Sequence, residues 1–156
     1  MTETAPLLSA PRALPAAAIL FDLDGTLADT AGDLTNALNR VRAEHGLAAL
    51  PAAALRAHAS SGARGLIGAG MGVLPDDDRY RELRDAFLAY YEAGLADTTR
   101  LFDGIDQLLK ALEQRSLRWG VVTNKAERFT WPVLTALGLA KRASVVVCGD
   151  TTTHAK

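Results

Sequence analysis

Three short, continuous apolar runs are spread along the chain, at residues 16–21, 119–123 and 144–148. Runs of this length predict strands that are buried on both faces, as in a parallel sheet. The first run stops just before a turn signal formed by Asp24 and Gly25. These three runs are therefore the predicted strands of the sheet.

Elsewhere apolar residues recur every three or four positions, which predicts amphipathic helices. One such stripe begins at Ile105, and another segment, residues 129–137, is ended by Gly138. Pro132 would fall within the first turns of that second helix, where proline is tolerated. Strands alternating with helices predict an α/β fold, with a Rossmann-like, doubly wound parallel sheet.

The stretch from residue 30 to residue 97 differs, because it contains no convincing strand and shows helical stripes at Leu34, Leu38, Val41 and His45 and at Tyr80, Leu83, Phe87 and Tyr91. We therefore predict an α/β core, residues 16–29 and 98–156, that is interrupted by an all-helical insertion, residues 30–97. Residues 1–15 contain three prolines and are expected to form a loose N-terminal tail.

Composition narrows the possible partners. Hydrophobic residues make up 49% of the chain, which is enough for a buried core, and the formal net charge is -1. The basic residues are scattered and no apolar run could span a bilayer, so we expect neither nucleic acid nor membrane as a partner. Cys148 is the only cysteine, which excludes an intrachain disulfide and makes a cytoplasmic location the default expectation.

The segment DLDGT at residues 22–26 carries the strongest candidate chemistry. Alternate residues of an extended chain point the same way, so Asp22 and Asp24 should face one crevice about 6–7 Å apart. Open α/β sheets bind ligands at the carboxyl ends of their strands. Gly25 permits a sharp turn, and Thr26 supplies a hydroxyl group. An aspartate-rich turn is the alternative, but such a turn does not require this apolar lead-in.

Thr123 ends the second apolar run, and Asn124 and Lys125 follow it, at a point where a strand end meets the start of a helix. Such a position can bind an anion through free backbone N–H groups. The alternative is that these residues only cap the helix. Lys125 could assist with a phosphate, although a solvated surface lysine is at least as compatible with the sequence.

Together these residues resemble the haloacid dehalogenase superfamily, whose phosphatases carry DxDGT at this place. The resemblance implies that Asp22 is the nucleophile and that Asp24 is the general acid and then the general base. Mg2+ would bind the carboxylate of Asp22 and the backbone carbonyl of Asp24. The implied phosphate-binding residues are Gly25, Thr26, Thr123 and Asn124.

Lys156, the last residue, resembles the catalytic lysine of motif three in this superfamily, which neutralises the nucleophile and the phosphate. Motif four, an acidic pair that supplies the metal with a further carboxylate, is absent from the chain. We therefore expect a truncated chain that binds Mg2+ weakly and whose own activity is uncertain.

The helical insertion resembles the small cap of the superfamily, which closes over the site and contacts the leaving group. Residues 61–65, with the sequence SGARG, are the candidate substrate-facing loop. There Arg64 could bind a substrate carboxylate through both arms of its guanidinium. The alternative is a surface arginine near a helix start.

Over nearly its whole length the chain resembles the phosphoglycolate phosphatases, through segments such as FDLDGTLADT, LFDGIDQLL and VVCGD. The segments SGARGL and RWGVVTNKAERF are also similar to the N-acetylmuramic acid 6-phosphate phosphatases. The resemblance implies a Mg2+-dependent phosphate monoester hydrolase acting on a small metabolite, 2-phosphoglycolate or a sugar phosphate. The alternatives are a phosphomutase of the same superfamily, a phospho-receiver module, or a catalytically impaired fragment.

Overall fold

A computed structural model describes residues 17–151 of the chain. The predicted tail, residues 1–15, and Lys156 lie outside that range. In chain order the elements are β1 (Ala18–Phe21), β2 (Ala28–Asp29), α1 (Ala31–Glu44), α2 (Ala52–Leu55), a 3-10 helix (Arg56–Ser61), α3 (Gly62–Met71), α4 (Tyr80–Ala93), β3 (Arg100–Leu101), α5 (Ile105–Gln114), β4 (Arg118–Val122), α6 (Glu127–Ala136) and β5 (Val146–Val147).

A three-stranded parallel sheet carries the candidate chemistry, with the strands in the order β1-β4-β5. Phe21 of β1 lies opposite Val121 of β4, and Val122 lies opposite Val147 of β5. Because the strands are parallel, the residues that follow them meet at one edge of the sheet. The predicted α/β fold with a parallel sheet and an inserted helical segment is confirmed.

Two short strands that the sequence did not predict, β2 and β3, pair in antiparallel fashion. Their pairing brings together the segment in which the chain leaves the three-stranded sheet and the segment in which it returns to it. All helices from α1 to α4 lie between β2 and β3 in the chain. We call that segment the helical insertion. The predicted domain boundaries at residues 30 and 97 stay a prediction.

The start of α6 differs from the sequence prediction. The helix begins at Glu127, two residues before the predicted start at residue 129, so Pro132 lies two residues deeper inside the helix than the sequence predicted. Asp150 provides the physical reason, because its carboxylate accepts a hydrogen bond of 2.8 Å from the backbone N–H of Glu127. Such a bond satisfies one of the free N–H groups at a helix start.

The buried apolar side chains form two clusters. The insertion cluster lies among helices α1 to α4 and includes Leu38, Phe87 and Tyr91. The sheet cluster lies between the sheet and helices α5 and α6, and includes Trp119. Phe129 is on α6 but packs in the insertion cluster, so it joins the two parts of the molecule. Among the described residues, no helix is long and apolar enough to cross a membrane.

Candidate active site

A cleft opens at the carboxyl ends of β1 and β4, between the sheet and the helical insertion. Its first recess has a volume of about 360 Å³ and is lined from the sheet side by Asp22, Asp24, Thr123, Asn124 and Lys125. The insertion lines the same recess with Ser60, Ser61, Gly62, Ala63, Phe87, Leu88 and Tyr91, among others. A second recess, of about 340 Å³, shares Asp22, Asp24, Ala59 and Ser60 with the first.

Asp22 follows β1 directly and lies in both recesses. The Oδ1 atom of Asp22 accepts a hydrogen bond of 2.9 Å from the backbone N–H of Leu23. Leu23 itself is fully buried on the other side of the chain. The alternation of an extended chain therefore turns both carboxylates, Asp22 and Asp24, toward the cleft.

A tight turn after β1 holds this segment in place. The backbone carbonyl of Leu23 accepts bonds of 3.3, 3.1 and 3.0 Å from the N–H groups of Thr26, Leu27 and Ala28. Gly25 has a φ of +77°, a conformation that glycine adopts at low cost. Gly25 and Thr26 both line the second recess, together with Asp22 and Asp24.

Asp24 is buried and ion-paired, with only 7% of its surface exposed. Its Oδ1 atom accepts a hydrogen bond of 2.6 Å from the hydroxyl of Thr30 and lies 3.1 Å from Nζ of Lys125. The side chain of Lys125 is itself only 6% exposed. The interpretation of Lys125 as a solvated surface lysine is therefore wrong.

Lys125 also reaches the helical insertion. Its Nζ atom donates a hydrogen bond of 2.9 Å to Oη of Tyr91 and lies 4.6 Å from the centre of the tyrosine ring. Burial acts to lower the pKa of Lys125, but attraction by Asp24 and Tyr91, with hydrogen bonds to both, holds that pKa above its ordinary value. Lys125 is therefore a cation at neutral pH, and it neutralises Asp24.

Thr123 and Asn124 follow β4, and both line the first recess. Thr123 is buried, and its Oγ1 atom accepts a bond of 3.2 Å from the backbone N–H of Lys125. Gly149 is required beside them, because any side chain at that position would collide with the backbone of Asn124. The structure thus brings Thr123 and Asn124 to the same recess as Asp22.

Arg64 does not reach the described recesses. It lies in the first turn of α3, is exposed, and is not among the residues that line either recess. The neighbouring residues Ser61, Gly62 and Ala63 do line the first recess. Arg64 as a substrate-binding residue therefore stays a prediction, without support from the described geometry.

Two other arginines line the cleft, and the sequence interpretation missed both. Arg128, the second residue of α6, lines the first recess. Arg56 lines the second recess and forms an ion pair of 2.8 Å with Asp29. A signal for Arg128 was available, because it lies at a predicted helix start just after the TNK segment. No local pattern distinguishes Arg56 from other surface arginines of the insertion.

The side-chain carboxylates of Asp22 and Asp24 line both recesses and are hard oxygen donors for a metal ion, whereas the backbone carbonyl of Asp24 as a ligand stays a prediction. Mg2+ is usually bound by one or two protein carboxylates and completes its shell with water and substrate phosphate. This donor chemistry fits Mg2+. Within residues 17–151 there is no group of three or more His, Cys, Asp or Glu side chains that could hold a metal ion.

Residues 19–156 match the family model of the haloacid dehalogenase-like hydrolases. The chain belongs to this family. It is 43% identical over 139 residues to the N-acetylmuramic acid 6-phosphate phosphatase of Pseudomonas aeruginosa. It is 41% identical over 140 residues to the phosphoglycolate phosphatase of Xanthomonas campestris pv. campestris. Each match covers 89% of this chain and 62% of the relative, so the chain spans less than two thirds of these curated relatives.

Solved structures of the family share the fold. The crystal structure of a predicted phosphoglycolate phosphatase from Haemophilus somnus 129PT superimposes with a TM-score of 0.76 at 26% identity, covering 90% of this chain and 65% of that one. A haloacid dehalogenase-like hydrolase from Bacteroides fragilis gives a TM-score of 0.78 at 20% identity, with 90% and 66% covered. The family predicted from the DLDGT segment is thus confirmed.

Proposed function

We propose that the protein is a Mg2+-dependent phosphate monoester hydrolase that acts through an aspartyl-phosphate on Asp22. The observation that carries this proposal is the pairing of two different carboxylates in one cleft. Asp22 is partly exposed there, whereas its neighbour Asp24 is buried and bonded to Thr30 and Lys125. A nucleophile must be accessible, and an acid–base group must be held in place.

In the first step a carboxylate oxygen of Asp22 attacks the phosphorus atom, and the bond from phosphorus to the alcohol oxygen breaks. Asp24, in its protonated form, gives its proton to the departing oxygen. The hydroxyl of Thr123 and the amide of Asn124 bind the phosphate oxygens at the sheet edge. When bound, Mg2+ would offset the negative charge on the transferring group.

In the second step Asp24 takes a proton from a water molecule, and the water oxygen attacks the phosphorus of the aspartyl-phosphate. Inorganic phosphate leaves, and the carboxylate of Asp22 is restored. Lys125, 3.1 Å from Oδ1 of Asp24, and the hydroxyl of Thr30 hold the Asp24 side chain in the position from which it accepts this proton.

Two substrates are candidates, 2-phosphoglycolate and N-acetylmuramic acid 6-phosphate. The first was the leading prediction from the sequence, and both correspond to the names of relatives, at 41% and 43% identity. A phosphomutase would use the same pair of aspartates, but it would return the phosphoryl group to a sugar instead of releasing it to water. Net phosphate release therefore separates a hydrolase from a mutase.

The test is to measure inorganic phosphate released from both substrates in the presence of Mg2+. Asp22→Asn should lower the rate by about 10⁴-fold, since the nucleophile is lost. Asp78→Asn is the matched control, because Asp78 is exposed and lines neither recess. Mass spectrometry after an acid quench should find the phosphoryl group on the peptide that contains Asp22. Undiminished turnover by Asp22→Asn would contradict the proposal.

A further inference from the structure

Three basic side chains line the cleft, and two of them are already neutralised. Lys125 lies 3.1 Å from Asp24, and Arg56 lies 2.8 Å from Asp29. Arg128 forms no ion pair with any residue of the described range, 17–151. Within that range, Arg128 is therefore the one cation of the cleft that still lacks an anionic partner.

The position of Arg128 is set by its own helix. Asp150 fixes the start of α6 through its bond to the backbone N–H of Glu127. The guanidinium carbon of Arg128 lies 4.4 Å from the ring centre of Phe129, which is buried. A guanidinium that rests on an aromatic ring keeps the edges of its fork available for hydrogen bonds.

The rest of the first recess contains little charge for a ligand. From the insertion it is lined by apolar side chains such as Phe87 and Leu88 and by the hydroxyls of Ser60 and Ser61. These groups suit a neutral chain or ring, and they cannot balance a second negative charge. Among residues 17–151, Arg128 is therefore the group of this recess against which a ligand with its phosphate at Asp22 and Thr123 could place a further anionic group.

We propose that Arg128 binds a carboxylate of the substrate, so that the enzyme selects phosphate monoesters that also carry a carboxylate. This inference rests on the proposed function. A carboxylate fits an arginine fork through two parallel hydrogen bonds. Both candidate substrates carry such a group, since 2-phosphoglycolate ends in a carboxylate and N-acetylmuramic acid bears a lactyl carboxylate. Arg128 thus takes the role that the sequence suggested for Arg64.

Two pairs of ligands isolate the carboxylate. N-acetylmuramic acid 6-phosphate is compared with N-acetylglucosamine 6-phosphate, which lacks the lactyl group. 2-Phosphoglycolate is compared with ethyl phosphate, in which a methyl group replaces the carboxylate. Dissociation constants are measured by calorimetry with Mg2+ on the Asp22→Asn chain, so that binding is observed without turnover.

We expect the carboxylate member of at least one pair to bind about tenfold more tightly, as one charge-assisted contact implies. Arg128→Gln should abolish that preference, and Arg128→Lys should retain part of it, because the charge remains and the fork is lost. Arg81→Gln is the matched control and should leave the preference unchanged, because Arg81 is exposed and lines neither recess. Thermal melting establishes that each variant is folded.

An unchanged preference in Arg128→Gln would overturn the inference, and so would failure of the parent chain to bind either member of both pairs. Phosphate release distinguishes this failure from failure of the proposed function. Release at equal efficiency from both members of a pair contradicts the carboxylate site alone. Preferential binding without release by the unsubstituted chain contradicts the hydrolase alone.

Discussion

At the scale of single residues, the ion pair of Asp24 and Lys125 is a buried pair of opposite charges in the lining of the cleft. Both side chains are almost completely withdrawn from water. Removal of one member of a buried pair costs far more than the pair contributes, because it leaves the other charge unpaired. The pair is therefore sensitive to substitution at either position, and Lys125 is the easier position to test without touching a carboxylate.

Lys125→Met should lower the free energy of unfolding by about 3 kcal/mol, because the carboxylate of Asp24 would lose its cation in a buried site. Urea denaturation measures this change. Lys110→Met is the matched control. Lys110 pairs with Asp106 at 2.7 Å, but its side chain is 62% exposed, and exposed pairs contribute little. Equal losses in the two variants would show that the burial of Lys125 has no energetic consequence.

The same pair predicts how stability depends on alkaline pH. The pKa of Lys125 is raised in the folded chain, and burial raises the pKa of Tyr91 as well. A raised pKa contributes stability that is present below the unfolded value and lost as the pH rises through the folded value. As the pH rises above 10.5, the ordinary pKa of lysine, the unsubstituted chain should therefore lose stability more steeply than Lys125→Met. Parallel profiles in urea titrations would contradict this expectation.

The roles of some of these residues were predictable from the sequence and those of others were not, for a physical reason. Asp22 and Asp24 were predictable because the strand, the turn and both carboxylates lie within a few consecutive residues. The burial of Lys125 was not predictable, because Asp24 and Tyr91 enclose it from distant parts of the chain. A local pattern contains no information on such contacts.

At the scale of elements, Asp33 in the first turn of α1 connects the segment in which the chain enters the helical insertion to the segment in which it leaves it. Its carboxylate accepts hydrogen bonds of 2.8 and 2.5 Å from the N–H and hydroxyl of Thr98, and bonds of 3.1 and 2.6 Å from those of Thr99. Gly32 is needed beside it, because a side chain there would collide with Thr98. Four bonds to one buried carboxylate make this contact rigid.

Asp33→Asn should lower the free energy of unfolding by about 2 kcal/mol or more, because the amide NH2 of asparagine would face a backbone N–H and leave that donor without an acceptor. Asp97→Asn is the matched control, since Asp97 is an exposed neighbour that accepts none of these bonds. Urea denaturation of both variants tests this prediction. A small effect at Asp33 would mean that water replaces the lost acceptor.

Helices were easier to predict than the shortest strands. The stripes of α1, α4 and α5 repeat over ten or more residues, which is long enough to establish a period. β2 and β3 contain two residues each, so they have no period to detect. The start of α6 depends on Asp150, which lies far outside the helix.

At the scale of the whole molecule, the cleft lies where the helical insertion meets the sheet, and two aromatic rings join them. Tyr91 of α4 and Phe129 of α6 contact edge to face, with ring centres 5.4 Å apart. The sequence predicted an insertion, but it could not show which side chains hold the insertion over the sheet. The orientation of the insertion therefore depends on a contact between residues that are distant in the chain.

Phe129→Ala should loosen α4 more than the sheet, because Phe129 packs in the insertion cluster although it belongs to α6. Truncation of a buried phenylalanine costs about 3–5 kcal/mol. Here we expect the lost stability to weaken mainly the contact between α4 and α6. Hydrogen exchange should accelerate in α4 before β4. Leu134→Ala is the matched control, since Leu134 lies on the same helix but in the sheet cluster, and it should affect β4 first. Identical exchange patterns in the two variants would mean that insertion and sheet open as one unit.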